Sequence, residues 1–414
     1  MKIAVIDYFA NVGGGRRYTA SLVKGLKYCN PEIEIKFVSS KKALNDQSFG
    51  NLDGFVSEQV GLTTSETLRA QIPNGRIHGI PGTWRAKMGV QQFLLKTRYA
   101  LGSQIARAVQ DADILFFAWP DFHVTFPIQK PFALTVHDLI WRHNDLVTQA
   151  QVTRLNQNAA SLLQRSSAVI TLTPSMRREV DEAFPGSAQK TRVIYSPLPE
   201  LPRGLSSPAR DKWLSLQHVR SPFVLVVGGL WAHKNHLTLL QAIARLKQEH
   251  TAIQLVCTGQ YTDEAFSSQP AATRWGLAKT LRELANNLGL ESGKDVIGLG
   301  STSDIELATL YEAATCFVAP STYEGGSLPM LEAVAHQCPV ACSDISVFRD
   351  IASYFQLTPR FFVPTNADAL ATEIARILEQ PISRTECKEM AQRVKQRTWR
   401  DAAQEYLGVL YEIA

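Results

Sequence analysis

The sequence has no apolar run long enough to cross a bilayer. Its longest runs, such as FVLVV at 223–227, are the length of strands, whereas a membrane helix needs roughly 18 apolar residues or more. The first residues, MKIAVIDYF, carry one lysine and then an apolar run that enters a glycine loop; they read as a first β-strand, not as a cleavable leader. Cysteine is sparse. The six, at 29, 257, 316, 338, 342 and 387, stand singly, and only Cys338 and Cys342 are close. That argues against a disulfide scaffold or a paired-cysteine zinc site and fits reduced thiols in a cytoplasmic protein. Repeats and low-complexity segments are absent, and 20% charged beside 45% hydrophobic residues excludes a disordered chain.

A chain of 414 residues is expected to form two domains, at roughly 100–200 residues each. Apolar strand-like runs alternate with helical patterns from the start: KIAVIDY, a helix over 18–28, EIKFVSS, then DILFFAW, FALTVHD, AVITLTP and RVIYS. Fully apolar strands in strand–helix–strand order predict a parallel α/β sheet covered on both faces. The proline- and serine-rich stretch 196–222 breaks the rhythm, which restarts with PFVLVVGG and continues through IQLVCTG, DVIGLG, CFVAPS and PVACSD. The expected fold class is therefore α/β, with two doubly wound sheets facing across a cleft and sites in strand-to-helix loops. Expected bounds are 1–200 for the first domain, 201–385 for the second, and 386–414 for terminal helices. Residues 1–200 hold 23 Lys and Arg against 16 Asp and Glu, and 201–414 hold 20 against 22, so the halves carry +7 and −2. A basic first half suits an anionic partner, a phospholipid surface or a phosphate-bearing substrate, although a solvated lysine-rich surface accounts for it equally. No nucleic-acid-binding motif accompanies it.

Three loops carry the chemistry. NVGGGRRY at 11–18 places Gly13, Gly14 and Gly15 between a strand and a helix, where backbone approaches a ligand closely and a helix start favours an anion. It is not GxGxxG, and a tight structural turn explains it as well. VGGLWAHKNH at 227–236 sets Gly228 and Gly229 at a strand end and Lys234 before the next helix, a point charge suited to phosphate oxygens but outside the GxxxxGK[ST] frame. PSTYEGGSLPMLEAVA at 320–335 puts Glu324 in a loop and Glu332 in the following helix, with Gly325, Gly326, Ser327 and Leu328 between them at the helix start. Backbone N–H groups there form an anion cradle, and two acceptor-only carboxylates flank it, fit for hydroxyl donors. The plainer reading is an acidic cap followed by a surface glutamate. His137, in VHD at 136–138, ends a strand and is expected in the same cleft, although a lone histidine is more often structural. Asp111 and Asp113 resemble a DxD metal site but precede their strand, so metal is not expected there.

Taken together, GGGRRY, TVHDLI at 135–140, VGGLWAHKN, the run from Ile305 to Ala335, PVACSDI and the late tryptophan helix resemble glycosyltransferase family 4, retaining nucleotide-sugar transferases of the GT-B fold. The resemblance covers nearly the whole chain. It implies that Glu324 contacts the donor sugar, Glu332 the nucleotide ribose and Lys234 the diphosphate. It also implies donor contacts from Gly13, Gly14, Gly15, Arg16, Gly228, Gly229, Ser301 and residues 325–328, a supporting role for His137, and a last helix crossing back to the first domain. Gly229 stands where the family often has arginine, and His233 is expected to compensate in part. Ser196 replaces a usual asparagine.

The implied reaction moves a hexose, with GDP-mannose the expected donor, onto a hydroxyl of a saccharide or lipid-linked acceptor with retention, in surface polysaccharide assembly. No metal or cofactor is expected, since Lys234 and the helix-start N–H groups neutralise the leaving diphosphate and closure about 196–222 excludes water. UDP-sugars are the alternative donors. A nucleotide-sugar epimerase or hydrolase of the same fold, and a non-catalytic sugar-nucleotide binder, are the competing functions. The basic amphipathic pattern over 84–109 suggests peripheral contact with an anionic inner membrane face, or simply a buried helix.

Overall fold

In the computed structural model the described residues are 1–7, 14–45, 49–62, 104–120, 122, 128–143, 147–200, 202–267 and 275–414. Gly13 of the first loop, and most of the 84–109 pattern, lie outside them. The chain divides into two compact units, one made of Met1–Trp141, Leu146–Pro199 and Thr398–Ala414, the other of Arg142–Asp145 and Glu200–Arg397.

The first unit holds seven strands: β1 Lys2–Asp7, β2 Glu34–Ser40, β3 Glu58–Leu62, β4 Ile114–Trp119, β5 Phe132–Val136, β6 Ala168–Thr171 and β7 Thr191–Val193. They pair in parallel in the order β3-β2-β1-β4-β5-β6-β7. Neighbouring side chains of β1 go to opposite faces. Ile3 and Val5 join the cluster that includes Phe37, Phe116 and Tyr406, while Ala4 and Ile6 join the one that includes Phe117, Leu134 and Val169. Both faces being buried explains why the strand reads as an unbroken apolar run.

The second unit holds β8 Phe223–Val227, β9 Gln254–Thr258, β10 Val296–Gly298, β11 Cys316–Ala319, β12 Val340–Ser343 and β13 Arg360–Phe362, parallel in the order β10-β9-β8-β11-β12-β13. Helix starts follow local chemistry. Ser303 and Glu306 form a reciprocal capping box at helix Asp304–Ala313, and Thr398 and Asp401 do so at helix Trp399–Ile413.

Both expected sheets are present, and the structure corrects their margins. The stretch 196–222, read as linker, contains helix Ser207–Leu216. Helix Arg384–Gln396, expected with the terminal helices of the first unit, belongs to the second, and the division falls at Arg397. Cys387, Met390, Ala391 and Val394 are its buried face. Helix Trp399–Ile413 does return to the first unit, where the Tyr406 hydroxyl bonds that of Tyr18 and Trp399 packs edge-on to Tyr18. Within 84–109 the described part is the start of helix Gln104–Gln110, with Ala106, Ala108 and Val109 all buried.

Candidate active site

In each sheet the strand order reverses beside its first strand, between β1 and β4 and between β8 and β11. Loops leaving the carboxyl ends of such neighbours diverge to opposite faces and leave a crevice, the usual ligand site of doubly wound sheets. In the second unit those two loops are the ones that carry Lys234 and Glu324.

Lys234 Nζ donates to Glu324 Oε1 at 2.5 Å, and the Ser321 hydroxyl donates to the same oxygen at 2.7 Å. The two side chains are only 18% and 10% exposed, so the pair is poorly screened. They wall a small pocket with Ser321, Ser327, His236 and the strand ends of β8 and β11. The loops are fastened to each other through Asn235. Its Nδ2 donates to the Pro320 carbonyl at 3.0 Å and the Pro364 carbonyl at 2.7 Å, and Thr322 N–H donates to the His233 carbonyl at 2.8 Å. Asn235 holds φ at 53°, the left-handed region that asparagine tolerates better than most residues.

Two helices begin at this pocket. Helix His236–Gln248 starts at Asn235 without a side-chain cap, and helix Leu328–Ala335 starts at Ser327, whose hydroxyl accepts from Met330 N–H at 3.4 Å. The Ser327 hydroxyl is thus partly engaged as a cap. Helix starts direct partial positive charge outward, so the pocket combines an ammonium, a carboxylate and two positive helix ends.

Gly228 donates its N–H to Thr258, which closes the loop onto β9. At Gly229 a Cβ would lie 2.9 Å from the Trp231 indole nitrogen, so a larger residue here needs the indole to shift. His233 does not replace the missing charge. Burial and the neighbouring Lys234 ammonium hold its pKa down at about 4, so it is neutral near pH 7. Ser301 is exposed beyond the end of β10. Glu332, expected at the ribose, lies on helix Leu328–Ala335. It is 1% exposed, does not line the pocket, and accepts from the Tyr311 hydroxyl at 3.1 Å.

The remaining sequence candidates lie in the first unit. Helix Gly14–Cys29 begins at Gly14, and a Cβ on Gly15 would come within 2.8 Å of the Trp119 ring, a packing reason for glycine. Arg16, read as a phosphate or acceptor contact, is 2% exposed with its guanidinium 5.6 Å from the centre of the Phe49 ring. His137 stacks on Trp119 at 3.7 Å and meets Tyr18 edge-on. Its Nε2 lies 2.8 Å from the Ala118 carbonyl, an acceptor, so Nε2 carries the proton, and burial brings its pKa to about 4. Asp111 binds Lys36 at 2.7 Å and Lys2 at 3.3 Å, at the opposite end of the strands from the loops, consistent with a structural role. Sequence reading missed Asn235, His236, Ser321 and Tyr311. The Lys-Asn-His triplet was visible, but without a spacing that announces a site.

Residues 211–394 match the family model described as Glycosyl transferases group 1. The O-antigen chain mannosyltransferase RfbU of Salmonella typhimurium is 26% identical over 230 residues, which is 55% of this chain and 56% of that protein. The O-antigen chain mannosyltransferase B of Escherichia coli is 24% identical over 282 residues, 66% of this chain and 68% of that protein. The chain therefore aligns with little more than half of the first relative and about two thirds of the second. Among solved structures, sucrose-phosphate synthase of Thermosynechococcus elongatus has a TM-score of 0.69 at 22% identity, covering 99% of this chain and 98% of that one, and so shares its fold.

Proposed function

We propose that this chain, whose residues 211–394 belong to the glycosyl transferases of group 1, transfers a hexose from a nucleoside diphosphate sugar to a hydroxyl acceptor with retained anomeric configuration. The observation that carries the reading is the Lys234–Glu324 pair at 2.5 Å, held on the two loops that flank the strand-order reversal. Lys234 and the two helix starts neutralise the diphosphate as its bond to the sugar carbon breaks, and stabilisation of developing charge is commonly the largest catalytic contribution. Glu324 accepts from sugar hydroxyls. The acceptor oxygen bonds to the same sugar carbon, and its proton leaves on the departing phosphate, so the reaction calls for no second carboxylate. No metal enters this scheme, and a chelator is expected to leave the rate unchanged.

GDP-mannose is the donor we infer, because both O-antigen relatives are named mannosyltransferases. The acceptor belongs to a saccharide or lipid-linked glycan under construction. Incubation of the purified chain with radiolabelled GDP-mannose or UDP-glucose, with and without glycan acceptors, tests this. Labelled product from GDP-mannose alone supports the reading. Product from UDP-glucose alone keeps the transferase and replaces the sugar, and donor turnover independent of any acceptor points instead to an epimerase or hydrolase.

A further inference from the structure

His236 is the first residue of helix His236–Gln248, two positions after Lys234. Its side chain is 3% exposed, it lines the pocket together with Lys234, Glu324 and Ser327, and neither ring nitrogen has a hydrogen-bond partner among the described residues. Neutral imidazole offers one N–H and one lone pair. A buried polar group with neither satisfied is a standing cost that calls for a specific explanation. Phenylalanine fills nearly the same volume without that cost, so packing alone does not explain a histidine here.

The surroundings identify the partner. The ring sits at an N-terminus that no side chain caps, beside an ammonium, and both features favour an anionic oxygen. Glu324, on the same wall, has its Oε1 already bonded by Lys234 and Ser321, and no hydrogen bond from His236 reaches it. In a nucleoside diphosphate sugar, hydroxyls that reach such a carboxylate lie next to the distal phosphate. Resting on the donor reading above, we propose that His236 donates a ring N–H to the sugar-bearing phosphate, as a binding residue beside Lys234. The side chain thus reads the second phosphate and distinguishes a diphosphate from a monophosphate.

The test is calorimetric titration of wild type and His236→Phe with a nucleoside diphosphate and with the monophosphate of the same base. The expected result is a variant at least as thermally stable as wild type, with diphosphate affinity weaker by about 10- to 100-fold and monophosphate affinity unchanged. His236→Gln, which keeps an N–H, recovers part of the loss. A residue that only packs would alter stability and leave the ratio of the two affinities untouched, which overturns the proposal. If His236→Phe does not fold, wild type labelled with 15N-histidine decides: movement of the His236 ring resonances with the diphosphate but not the monophosphate supports the contact, and no movement with the diphosphate overturns it. Wild type that binds neither nucleotide overturns the donor reading and this proposal together, whereas tight wild-type binding with an unaltered variant overturns this proposal alone.

Discussion

Lys234 and Glu324 neutralise each other at 2.5 Å in a partly buried setting, so a diphosphate competes with Glu324 for the ammonium. Glu324→Gln removes that competitor. Its expected phenotype is opposed: nucleoside diphosphate affinity rises by about 3- to 10-fold, since a charged partner is lost, while sugar transfer falls by roughly 100-fold or more with the loss of a charged contact to the sugar. Titration and initial rates on one preparation measure both, and a parallel fall of affinity and rate would refute the competition. These two residues were legible in the sequence because each follows an apolar strand at a loop carrying glycines. Arg16 was legible only in part. Following three glycines it reads as an anion contact, but helix Gly14–Cys29 already contains it, and its side chain meets Phe49, a neighbour fixed by tertiary packing. Glu332 shows the converse, since helical position was readable and its burial against Tyr311 was not.

At the scale of elements, the site is two strand ends and two helix starts joined by one asparagine. Asn235 contributes a left-handed backbone at φ 53° and two side-chain bonds to carbonyls of other segments. Asn235→Gly keeps the backbone and loses the bonds; Asn235→Ala loses both. The alanine variant is therefore expected to be the less stable, by roughly 1 kcal/mol beyond the cost of the bonds. Both variants should lose about 10- to 100-fold in transfer rate as the lysine loop shifts. Melting curves and rates check the ranking, and a glycine variant no more stable than alanine would contradict it. Strands of long apolar runs were readable, as was a helix start just after Lys234. Short β13, Arg360–Phe362, was not, because three residues show no period. Helix Arg384–Gln396 was assigned to the wrong unit because an amphipathic pattern shows that a face is buried without showing against what.

For the whole molecule, buried neutral histidines tie stability to pH in both units. His137 in the first and His236 in the second are held at about 4 and about 3, against an ordinary value of 6.5, chiefly by burial. In the unfolded chain they take up protons as pH falls below about 6.5, and in the folded chain only near 4 and below. Their stabilising contribution is thus complete above pH 6.5 and is lost as pH falls toward 4, by on the order of 2 kcal/mol each at pH 5. Scanning calorimetry at pH 7.5 and pH 5 should show both units melting earlier at the lower pH, with His236→Phe relieving the second unit only. Whether the second unit holds a nucleotide-sugar donor by its diphosphate for transfer is decided by sugar transfer from labelled GDP-mannose to a glycan acceptor with wild type and Lys234→Ala side by side. Wild type is expected to give labelled glycan, and the variant, folded though less stable for the loss of its ion pair, a rate lower by roughly 100-fold or more. A folded variant that transfers as fast as wild type would contradict that hold on the diphosphate.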